Sequence, residues 1–111
     1  MHWNLTIPNP DFNFIEKQWT ERQDEFEKTV VAMHGRPGSD VFNNNVSKVF
    51  QRYITQYPGL QFCINAHDHR STADDLFEDG IIYYGSDCMK HRSYLLFTIT
   101  PDNYTYEVVY F

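Results

Sequence analysis

Three of the five histidines stand where imidazole can do chemistry. His34 directly follows the apolar, β-branched run Thr29-Val30-Val31-Ala32-Met33, and His67 and His69 directly follow the run from Leu60 to Asn65. In open α/β sheets, ligands gather outside the carboxyl ends of the strands. Residues two apart in extended backbone share a face, so His67 and His69 are expected to face one site, with Asp68 turned away and His34 converging from the neighbouring strand. Imidazole suits manganese, zinc, iron and nickel without help from sulfur, so His34, His67 and His69 are the candidate metal ligands. All three on a single zinc ion, with the fourth position open to water, is an alternative arrangement. His2 and His91 stand alone and are better explained as solvent-facing or bonded to a backbone carbonyl.

Arg36 and Arg70 adjoin these histidines and are the candidate substrate-binding residues, because a guanidinium can meet an anionic oxygen pair bidentately. A solvated surface arginine is the commoner outcome for each. The nearby carboxylates, Asp40, Asp68, Asp74, Asp75 and Asp87, are more simply turn residues or caps, and no catalytic residue is assigned.

For the histidines to meet, the runs before them must be neighbouring strands. From Asp11 to Phe26, apolar residues Phe12, Ile15, Trp19 and Phe26 recur at helical spacing, which predicts an amphipathic helix. The run from Thr29 to Met33 suits a strand buried on both faces. Ser39 or Asp40 is the expected cap of a second helix carrying Phe42, Val46, Val49, Phe50, Tyr53, Ile54 and Tyr57 on one face, stopped by Pro58-Gly59. Helix, strand, helix, strand implies a parallel crossover. Short runs over Thr72 to Phe77, Gly80 to Tyr84, Tyr94 to Thr100 and Tyr104 to Tyr110 then predict an antiparallel meander in the same sheet. Its turns are expected at Glu78-Asp79-Gly80 and Pro101-Asp102-Asn103, with positive φ at Gly80 and Asn103.

This order resembles the C-terminal half of calcineurin-like metallophosphoesterases. The likeness runs over residues 12–111 and rests on Gln18-Trp19 in the first helix, His34-Gly35-Arg36-Pro37 after one strand, Asn65-Ala66-His67-Asp68-His69 after the next, and the run ending Ile81-Ile82-Tyr83-Tyr84-Gly85. It implies an α/β fold, a mixed sheet with two helices and an antiparallel C-terminal meander, forming half of an αββα sandwich. It also implies that His34 and His67 share one metal while His69 reaches another. Ala66 replaces the family's glycine before the first histidine of Gly-His-x-His. The family's Asp-x-His, Gly-Asp-x-x-Asp and Gly-Asn-His-Asp/Glu motifs have no counterpart in these 111 residues. The expected function is therefore the C-terminal portion of a metal-dependent phosphoester hydrolase, incomplete for catalysis alone. A non-catalytic metal-binding or regulatory module is the alternative.

Composition bounds the rest. The chain's 111 residues suit one domain, expected over 11–111 after a tail or connector at 1–10, and 41% hydrophobic content is ample for a core. A net charge of −6 disfavours nucleic acid and anionic membranes as generic partners. Cys63 and Cys88 show no metal or redox spacing and are expected as free thiols. No signal-like or membrane-spanning run stands out, so a cytoplasmic setting is expected. With 8 Tyr and 9 Phe on half a sandwich, a homodimer or association with the missing half is expected.

Overall fold

The computed structural model describes residues 10–25 and 27–111. His2, Phe26 and all of the expected tail except Pro10 lie outside them. The fold is mixed α/β, with two α-helices and two sheets, one mixed and one antiparallel. In chain order the elements are α1 (Phe12–Glu21), β1 (Thr29–Ala32), α2 (Ser47–Ile54), β2 (Leu60–Asn65), β3 (Thr72–Asp74), β4 (Tyr83–Gly85), β5 (Ser93–Ile99) and β6 (Tyr104–Tyr110).

Asp11 caps α1, its side chain accepting from the Phe14 amide at 3.0 Å. The helix stops at Glu21, short of the expected Phe26. Residues 20–25 are all exposed and polar, so a further turn would have no apolar face to bury. Helix α2 also starts later than Ser39 or Asp40. Ser39, Asn43 and Asn44 bond the local backbone instead: the Val41 amide donates to Ser39 Oγ, the Asn45 amide to Asn43 Oδ1 and the Gly38 amide to Asn44 Oδ1. Such side chains compete with helical hydrogen bonds, and the chain turns through a short 3-10 segment, Asn44–Val46, before α2. After α2, Gly59 adopts φ +58, and a Cβ there would strike the Glu27 carbonyl, which explains the expected stop.

The four-stranded sheet has the order β1-β2-β4-β3, with β1, β2 and β4 parallel and β3 antiparallel to β4. Its interior positions face two ways. Cys63 and Tyr83 join Phe42, Phe50 and Ile54 in one core on the helix side, with Phe12, Ile15, Val31 and Met33 packed against it. On the other side Phe62 stacks on Phe97 at 4.4 Å between ring centroids, and Tyr84 meets Tyr106 at the same separation. The molecule thus has three layers: helices, mixed sheet, β5–β6 hairpin.

Two expectations about the sheet are corrected. The chain does not end as a meander within one sheet. Instead β4 enters the mixed sheet parallel to β2, because Tyr83 and Tyr84 are buried on opposite faces as an interior parallel strand requires, while β5 and β6 pair only with each other. Strand β1 is also not covered on both sides. It is one of the sheet's two outer strands, the hairpin rings pack on Phe62 and Tyr84 further in, and Val30 keeps 37% exposure.

Gly80 has the expected positive φ, +84, but Asn103 does not; its partner in the left-handed region is Glu78 at +56. The Thr100 amide donates to the Asn103 carbonyl at 2.8 Å, and a turn led by Pro101 needs no positive φ there. Cys63 and Cys88 are free, as expected. Burial pushes the Cys63 thiol up to about 12, which keeps it neutral and unreactive in the core. No helix among the described residues is long and apolar enough to cross a membrane.

Candidate metal centre

Parallel pairing continues past the strand ends, two residues beyond β1 and one beyond β2 and β4. The Met33 amide donates to the Ile64 carbonyl, the Ala66 amide to the His34 carbonyl at 2.9 Å, and the Ser86 amide to the Asn65 carbonyl at 3.0 Å. His34, Ala66 and Ser86 therefore lie level along one edge, and the loops that they open begin at that edge.

His34 and His67 are brought together there. Nε2 of His34 lies 3.0 Å from Nδ1 of His67, with the rings nearly perpendicular. The other nitrogen of His67, Nε2, lies 2.9 Å from Asp40 Oδ1. An acceptor carboxylate fixes the proton on Nε2, which leaves Nδ1 of His67 with a lone pair facing His34. His34 then donates from its own Nε2. Two nitrogens at ~2.1 Å from one ion sit roughly 3.0–3.4 Å apart, so this pair needs little movement to share an ion once His34 shifts its proton to Nδ1. A carboxylate behind a ligating imidazole is the usual device for orienting it. Asp40, expected from the sequence only as a cap or turn residue, is this orienting group.

The extended-backbone expectation for His67 and His69 is corrected. Strand β2 ends at Asn65, and His67 and His69 both have left-handed backbone, φ 63 and 53. Face alternation does not hold across such a bend. The Asp68 amide closes it onto the Ala66 carbonyl at 2.7 Å, while Ala66 itself has no positive φ and needs no glycine. Left-handed conformation costs roughly 1–2 kcal/mol per non-glycine residue, and such positions cluster at functional sites. His69 is exposed and has no hydrogen-bond partner among the described residues, so the three histidines do not converge as one group.

Arg36 Nη1 donates to the Pro37 carbonyl at 3.0 Å, its Nε is buried without a partner among the described residues, and Arg70 is exposed. Among the described residues, neither is hydrogen-bonded to a histidine.

A second group of donors lies outside the expected ligand set. Asp87, Cys88 and His91 place one ligand atom each within 4.8 Å of one another, just beyond the end of β4. The signal available was the Cys88-x-x-His91 spacing with an acid beside it. His91 donating to Asp87 at 2.7 Å is the first cause holding the Asp87 carboxyl below its ordinary value, and the Cys88 amide adds to it.

No family model, curated protein or solved structure matches the chain.

The Asp87 shift sets a pH dependence. A depressed folded value contributes stability that is present above 3.8 and is lost as pH falls through the lower, folded value. Carboxyl NMR should show Asp87 titrating below 3.8 in the wild type and closer to it in His91→Ala, where the Cys88 amide still lowers it. An unchanged midpoint in that variant would show that the pair is a crossing of side chains without energetic coupling.

Proposed function

We propose that this chain supplies the histidine side of a divalent transition-metal centre of the calcineurin-like metallophosphoesterase type, together with one wall of its phosphoester site. The observation that carries this is the 3.0 Å approach of His34 Nε2 to His67 Nδ1 at the ends of two paired parallel strands. The Asp40 carboxylate behind His67 supports it, as does the third parallel strand, β4, ending in Gly85 beside Asn65. The cofactor is manganese, zinc, iron or nickel, the metals that imidazole suits. Such an ion, when bound, activates water and stabilises charge on phosphoryl oxygens. His34 and His67 hold one ion between them, His69 is kept for a second, and Arg36 and Arg70 remain the phosphate contacts.

Two neutral imidazoles do not offset a dication, and the one carboxylate beside them is committed to His67. The remaining acidic ligands come from outside these residues, so the chain alone should turn over phosphoesters very poorly. That same commitment of Asp40 favours the second reading, a metal-binding or regulatory module without catalysis.

Helices on one face and a β-hairpin on the other fit half of an αββα sandwich. The outward-facing Tyr94 and Leu96 on β5, 41% and 46% exposed, suit an interface with the other half or with a second copy. A cytoplasmic setting is part of this reading, supported by two free cysteines, which suit a reducing compartment.

Calorimetry with manganese, a metal that does not favour thiolate, tests the site. Binding should weaken as the solution is acidified, because protons compete with the ion for the imidazole nitrogens. His34→Ala and His67→Ala should each abolish it. Equal binding by the double variant and the wild type would remove the proposed centre. Light scattering tests the interface: self-association at roughly tens of micromolar, reduced by Leu96→Lys, is expected, and a monomer throughout would count against it.

A further inference from the structure

The turn after β4 offers a different donor chemistry. Asp87 Oδ1 and Cys88 Sγ approach the same atom of His91, Nδ1, at 2.7 Å and 3.6 Å. A nucleophilic relay needs the opposite arrangement, with the acid on one ring nitrogen and the thiol on the other. Three donors crowded round one point suit a cation instead. Around a tetrahedral zinc, with N and O at ~2.0–2.1 Å and S at ~2.3 Å, an N,O pair is separated by roughly 3.3 Å and an S,N pair by roughly 3.5 Å. The second separation is already present and the first needs a small opening.

The backbone holds these donors in place. The Cys88 amide donates to Asp87 Oδ1 at 2.7 Å, which fixes that carboxylate. His91 is carried on a short 3-10 turn, Met89–His91, closed by the His91 amide on the Cys88 carbonyl and by the Arg92 amide on the Met89 carbonyl. Arg92 ends the turn in left-handed conformation, φ 60, and Ser93 behind it is 1% exposed. The Phe111 amide bonds the Arg92 carbonyl, so the turn is tied to the end of β6 as well. Ordering cost on binding is therefore small. His91 is half exposed at its side chain, which gives an ion a way in.

Charge separates this group from the histidine pair. A thiolate and a carboxylate together offset a dication, whereas His34 and His67 are neutral when they ligate. The thiolate also excludes magnesium and calcium as occupants.

We propose that Asp87, Cys88 and His91 form a zinc-class cation site, separate from the His34 and His67 centre, with three protein ligands and a fourth position open to water or to a ligand from a partner. As the ion binds, the Cys88 thiol proton leaves to solvent and His91 carries its proton on Nε2, which frees Nδ1 to ligate.

Cobalt(II) as a zinc surrogate tests this on the full chain at neutral pH. A near-ultraviolet thiolate-to-cobalt charge-transfer band should appear at one equivalent, vanish when zinc is added, and be absent in Cys88→Ser. It should persist in the His34→Ala/His67→Ala double variant, so its fate is independent of the histidine-pair centre. Cys63, fully buried, cannot supply the band in a folded chain. As a second measurement, zinc should slow modification of Cys88 by a thiol reagent in the wild type and not in His91→Ala. No thiolate band in the wild type, a band surviving Cys88→Ser, or a modification rate indifferent to zinc would each overturn the proposal.

Discussion

Parallel pairing of β1, β2 and β4 is the constraint on which the rest of the molecule depends. Parallel strands bring like ends to one edge, and here the ladder runs on through the Ala66 amide to the His34 carbonyl and the Ser86 amide to the Asn65 carbonyl. Side chains far apart in sequence are thereby held within a few ångströms. That pairing survives only because both faces of the interior strands are covered, Cys63 and Tyr83 by the helices, Phe62 and Tyr84 by the hairpin aromatics. Remove either layer and buried parallel strands face water, which such sheets do not tolerate.

The sequence disclosed the strands and the histidines that end them, because a β-branched apolar run followed by a turn is a local signal. Parallel pairing followed from the helix between the runs. The bend at His67 to His69 was not legible. Left-handed backbone is uncommon even at histidine, where it is enriched, so residue type alone does not mark the bend that ends strand alternation. Asp40 was equally hidden: it lies 27 residues before His67, and only the loop from Ser39 to Asn44, which delays α2, brings it there. The separate hairpin sheet was missed because strand runs disclose pairing partners only when a face must be covered, and Phe62 and Tyr84 could be assigned faces only once β4 was known to be parallel.

The two candidate centres divide the donor chemistry of one edge. His34 and His67 follow β1 and β2 and offer neutral nitrogen with a carboxylate behind; Asp87, Cys88 and His91 follow β4 and offer an anionic mixed set. The first depends on tertiary pairing, the second on a single turn. A disturbance of the sheet should therefore damage the histidine pair more than the turn.

The central claim is that His34 Nε2 and His67 Nδ1 share one ion. Anomalous diffraction at the zinc edge from crystals of the chain grown with zinc tests it most directly. A peak ~2.1 Å from both nitrogens, with the Asp40 contact to His67 Nε2 retained, is the predicted result. A saturated crystal whose only zinc peaks lie elsewhere, with the two imidazoles still hydrogen-bonded to each other, would contradict it.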